Sequence, residues 1–110
     1  MIRTIIAKSL LPALICTPLL AHAAEIDKRS CSLKGIPLHG KVKIVKNFAD
    51  FKIEVVPSFP DLKVEKVSSF ADRCGQWQIV DSFPDFTVEI VNSFGDFRVT
   101  WVNSFPGVGN

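Results

Sequence analysis

The chain has 110 residues, 47% of them hydrophobic, with 13 Lys and Arg against 11 Asp and Glu. That length holds one domain at most. Arg3 and Lys8 supply the whole formal excess of +2: without them 11 basic residues face 11 acidic ones, and a neutral domain lacks the basic face that nucleic acid requires.

The first stretch reads as an export signal. Arg3 and Lys8 form a basic start, Leu10 to Leu20 is a short apolar run broken by Pro12 and Pro18, and Ala21-His22-Ala23 has the small-x-small pattern of a cleavage site. The run is about half the roughly 20 residues a membrane span needs. Residues 1–23 are therefore expected to be removed, leaving a periplasmic or secreted domain at 24–110 with no stable membrane insertion. A lipid anchor on Cys16 is disfavoured because Ile15 stands where a small residue is needed. Past the signal only Cys31 and Cys74 remain, and an even count in a small exported domain points to one disulfide. Closing that loop is worth about 4 kcal/mol in the chain-entropy picture. A redox pair would want CxxC spacing, and a metal site would want partners beyond the single histidine, His39.

A lead-in from Cys31 to Gly40 (CSLKGIPLHG) precedes six eleven-residue repeats: GKVKIVKNFAD from Gly40, FKIEVVPSFPD from Phe51, LKVEKVSSFAD from Leu62, GQWQIVDSFPD from Gly75, FTVEIVNSFGD from Phe86 and FRVTWVNSFPG from Phe97. Arg73 and Cys74 interrupt the period once. Within a repeat, apolar positions one and three alternate with polar two and four, the signature of a half-buried strand. Position six is always valine, out of phase with that alternation, which implies a bulge or a strand end buried on both faces. Position nine is always phenylalanine and, like position one, reads as core. Positions seven to eleven spell a turn. Eleven residues is also a helical period, but Pro57, Pro60, Pro84 and Pro106 exclude helices. The fold class is all-β. An exposed end strand such as FRVTWV would invite aggregation, so a closure that joins early and late repeats is expected rather than an open β-solenoid. The early half carries most of the basic residues and the late half is acidic, which also favours pairing between the two.

CSLKGIPLHGKVKIV, the V-x-S-F-P-D units, the block Cys74-Gly75-Gln76-Trp77-Gln78-Ile79-Val80-Asp81-Ser82-Phe83-Pro84-Asp85 and the closing VNSFPG resemble the septoil-knot domain family across Cys31 to Gly107. The resemblance implies a compact β domain whose backbone forms a seven-crossing torus knot. It implies no activity and transfers no functional residues. Ala49, Ala71 and Gly95 depart from the motif's proline, and Pro57 sits unusually at position seven.

Candidate chemistry is sparse. Asp50, Asp61, Asp72, Asp85 and Asp96 recur once per repeat, far short of the six to eight oxygens of a calcium site, and read as turn aspartates that bond backbone. The serines at position eight are interchangeable, so none stands out as a nucleophile for His39. No catalytic residue, metal or cofactor is assigned. Trp77 and Trp101 are the candidate partner surface, with an unknown protein or envelope component as the partner. The expected role is a non-enzymatic binding or structural module; the alternative is a small secreted hydrolase using His39.

Overall fold

The computed structural model describes residues 25–109, so the expected signal at 1–23 lies outside the described residues. A short hairpin opens the domain: β1 (Ser32–Leu33) pairs antiparallel with β2 (Ile36–Pro37), and Lys34 and Gly35 both take positive φ between them, as a two-residue turn of this hand requires. Four to six of the opening positions of each repeat then form a strand: β3 (Gly40–Ile44), β4 (Phe51–Val55), β5 (Leu62–Lys66), β6 (Gln76–Ile79), β7 (Phe86–Ile90) and β8 (Phe97–Val102). A last short strand, β9 (Gly107–Val108), runs antiparallel beside the start of β5.

The six repeat strands are mutually parallel in the order β6-β3-β7-β4-β8-β5, and β5 pairs back onto β6. The sheet is a closed barrel, so the edge hazard read from FRVTWV is removed by closure. Each joint steps the register by two residues: position three faces position one of its neighbour, as in Val42 opposite Phe86, Val88 opposite Phe51, Ile53 opposite Phe97 and Val99 opposite Leu62. Six such joints stagger the barrel by twelve residues, twice the strand number. An eight-strand barrel staggered by eight tilts its strands by about 36°, and doubling the ratio raises the tilt to roughly 55°. At that tilt the strands run around the axis more than along it.

This stagger explains how parallel strands are joined by six residues, where a parallel pair ordinarily needs a crossover of a dozen or more. Val88 faces Ile44 on one side and Phe51 on the other, so residues 45–50 leave the end of β3, step over β7 and enter β4. Residues 56–61 step over β8 in the same way, 80–85 over β3, and 91–96 over β4. Three repeats make one circuit, and the second circuit drops its strands between those of the first. First-circuit loops cross outside second-circuit strands and second-circuit loops cross outside first-circuit strands, so the two circuits are wound through each other.

The interruption at Arg73-Cys74 makes the interleaving work. Every other connection advances two places around the barrel, whereas the one from β5 to β6 advances one. A further full step would place β6 on the slot of β3. Cys74 is bonded to Cys31 across 5.8 Å between Cα atoms, which ties the interruption to the lead-in. Gly75 follows at φ +82°, where a Cβ would meet the Lys63 carbonyl oxygen at 2.5 Å and the Gly107 nitrogen at 2.8 Å.

Positions one and three fill the interior: Val42, Phe51, Ile53, Leu62, Val64, Trp77, Phe86, Val88, Phe97 and Val99 are 0–3% exposed. Phe51 meets Phe86 and Phe97 edge to face, and Trp77 meets Phe86 and Trp101 likewise. Buried Leu38 of the lead-in packs with this core, its carbonyl accepting from the Gly75 N–H and from the Trp77 indole N–H. The early-late charge pairing appears in the register, where Lys52 faces Glu89 and Glu54 faces Arg98.

Candidate interaction surface

The crossing loops carry the chemistry of the outer surface. Each starts at the invariant valine, which is half-buried rather than bulged. Its N–H bonds a carbonyl of the strand being crossed: Val45 to Val88, Val56 to Val99, Val80 to Val42 and Val91 to Ile53, all at 2.8–2.9 Å. At these four sites position six therefore belongs to the loop, whereas Val102 ends β8 opposite Glu65. The expected bulge is absent because the chain leaves the sheet at that residue.

The loop ends on its aspartate, which grips the same strand twice. The N–H of Asp85 donates to the Lys41 carbonyl while its carboxylate accepts from the Lys41 N–H; Asp96 does the same to Lys52, and Asp61 to Arg98. Asp50 accepts from the Thr87 N–H and hydroxyl. These aspartates do bond backbone, as their turn position implies, but backbone 37 or 44 residues away. Asp72 is the exception, sitting in the irregular connection to β6, where its N–H turns back to Phe70. A carboxylate accepting an N–H is a charge-assisted bond worth more than a neutral one, reduced here by partial exposure. Asp96→Ala is expected to cost about 1–2 kcal/mol, read from the denaturation midpoint, and Asp96→Asn, which keeps an acceptor oxygen, less than half of that.

Between valine and aspartate stands the phenylalanine of position nine, and its placement corrects the expectation of a core residue. Phe48, Phe59, Phe70, Phe83, Phe94 and Phe105 are 85–101% exposed. All six take positive φ, between 52° and 60°. After Phe94 the chain lies close on the crossed strand: a Cβ at Gly95 would come within 3.0–3.2 Å of Glu54 and Lys52. The strands crossed are β7, β8, β3 and β4 for Phe48, Phe59, Phe83 and Phe94. The last loop crosses β5 to reach β9, and Val67 opens the connection holding Phe70 by bonding β6 at Trp77. Every strand of the barrel thus carries one ring, and the rings form a belt.

Of the two tryptophans, Trp77 is 0% exposed and offers no surface, because it occupies position three, an inward site in every repeat. Trp101 is half-buried, packed on Trp77 at one mouth of the barrel, with the Lys66 ammonium 4.3 Å from its ring centre. Ile44, Val55, Ile79 and Ile90, also at position five, are 38–47% exposed.

His39 lines a hollow of about 500 Å³ together with Asp72 and Asp85. The Nδ1–H of His39 donates to the Ala71 carbonyl, and the Asp85 carboxylate is held by Lys41. In the serine-hydrolase arrangement an acid orients Nδ1 and a hydroxyl nucleophile stands at the other nitrogen. Here a backbone carbonyl takes the first place, and no serine lines the hollow among the described residues.

A family model for the 7(1) septoil knot domain matches residues 35–109. Among curated proteins, none matches the chain.

Proposed function

The chain belongs to the septoil knot domain family, and from that premise we propose that it is an exported, non-enzymatic binding module whose partner surface is the belt of six outward phenylalanines. The supporting observation is the conformation of those residues. A bulky side chain at positive φ costs about 1–2 kcal/mol relative to glycine, and asparagine is far easier to place there. Exposing the ring to water gains nothing for folding. Phenylalanine nonetheless fills the position six times out of six, so the ring serves something outside the barrel. An exposed belt of this kind is the mark of an interaction surface. The Cys31–Cys74 disulfide supports an oxidising compartment, periplasmic or extracellular. The balanced charge supports a partner other than nucleic acid, reached without stable insertion into a membrane. The hydrolase alternative is weakened by the occupied Nδ1 of His39.

The test replaces all six phenylalanines by asparagine. The melting temperature is expected to hold or rise, because backbone strain is relieved and no core is lost; a core phenylalanine truncated to alanine would cost about 3–5 kcal/mol. Crosslinking in the native envelope should then show partner adducts for the wild type and none for the variant. Adducts that survive the six substitutions would remove the belt from function.

A further inference from the structure

We propose that the belt's partner is a second copy of this chain, paired face to face with Phe59 and Phe94 of each copy seated in a groove of the other. This rests on the reading of the belt as a binding surface. The groove lies between the crossing loops 56–61 and 91–96, which pass over the neighbouring strands β8 and β4. It measures about 850 Å³. Ile26, Phe59, Pro60, Phe97 and Val108 give it apolar walls, and Gly95 keeps its floor low. A cavity of roughly 150 Å³ already accommodates benzene, so an incoming ring fits.

Peg and groove therefore occur on the same face of one molecule. Phe59 lines the groove itself and Phe94 sits on its other wall-forming loop, 88% and 94% exposed. Two copies related by a two-fold axis through this face place each other's rings in each other's grooves, the self-complementary arrangement that closes as a dimer. Charge does not oppose the meeting: all 11 acidic residues and 11 of the 13 basic ones lie within 25–109, giving no net repulsion between copies. The groove also holds both signs, Glu25, Glu54, Asp61 and Asp96 with Lys28, Lys63 and Arg98, so a two-fold can set unlike charges opposite one another. A lipid surface fits less well. There is no basic excess to draw the domain to anionic headgroups.

A contact made by two rings and one groove on each side is expected to stay below the roughly 1,200 Å² that marks stable complexes, so the dimer is expected to be weak, forming between about 10 µM and 1 mM. The test uses the protein as processed and purified from producing cells, followed by sedimentation equilibrium and amide NMR over that range. The wild type should rise from monomer mass toward dimer mass, with concentration-dependent shifts at Phe59, Gly95, Asp96 and Gly109. F59N/F94N should stay monomeric throughout while keeping its near-ultraviolet dichroism. F70N/F83N, on the opposite side of the barrel, should dimerise like the wild type. A wild type that stays monomeric to about 1 mM overturns the proposal. So does equal loss of association in the two double variants, or shifts that gather instead at Ile44, Val55, Ile79 and Ile90. A monomer whose envelope adducts still depend on the six phenylalanines would sink the dimer and leave the belt standing.

Discussion

Deleting Arg73 and Cys74 is expected to abolish the native fold. The deletion restores an unbroken eleven-residue period, and a perfect repeat cannot build this barrel. With every connection advancing two places, the fourth strand would arrive on the slot that β3 already fills, and the second circuit would have no gaps to enter. The control is the pair Cys31→Ser with Cys74→Ser, which removes the disulfide and keeps the spacing. Loss of a 43-residue cross-link is worth about 4 kcal/mol, so the control should melt lower yet retain cooperative unfolding wherever the starting stability exceeds that loss. The deletion should show no cooperative transition at all, under reducing or oxidising conditions. A deletion variant that melts like the control would refute the account of interleaving.

Trp77→Ala carries the second largest expected effect. The indole is fully buried, packs edge to face on Phe86 and Trp101, and holds the lead-in through its N–H bond to the Leu38 carbonyl. Truncation leaves a cavity and removes one of the two donors to the Leu38 carbonyl, which keeps the Gly75 N–H, a loss worth about 3–5 kcal/mol. In a domain of this size, that loss approaches the whole folding stability. Trp77→Phe retains most of the volume and loses the hydrogen bond, and should cost about 1–3 kcal/mol. Trp101→Ala, at the half-open mouth, should cost less than half as much as Trp77→Ala. Chemical denaturation of the three variants ranks them, and a Trp101 variant as damaged as Trp77→Ala would place the core elsewhere.

The strands and their inward faces were legible in the repeat, because a two-residue alternation survives translation into almost any sheet. Trp77 was misplaced on the surface by its residue type, although its position three matches Val42, Ile53, Val64, Val88 and Val99, all buried. The phenylalanines of position nine were misread in the opposite sense. Invariance in an apolar residue reads as core, but these follow serine or asparagine and precede proline, alanine or glycine, inside a turn. That turn context points to exposure, while nothing in it specifies the positive φ. The aspartates were legible as backbone ligands, whereas their partners were not, since nothing local encodes a strand 37 or 44 residues distant. The need for closure could be argued from the apolar last strand. The interleaved order could not, although the two-residue interruption that makes it possible was in plain view.

The crossing loops also impose an order in time. Residues 45–50 and 56–61 overlie β7 and β8, which leave the ribosome some 40 residues later. These loops cannot tighten until the later strands have slipped beneath them. Sheet pairings that each close 37 or 44 residues of chain are the kind that fold slowly. The aspartates then act as latches that catch last, each locking a loop over a strand already in place. Pulling on either end of the finished domain draws those loops tighter around their strands, so the architecture resists extraction by the same geometry that delays its assembly.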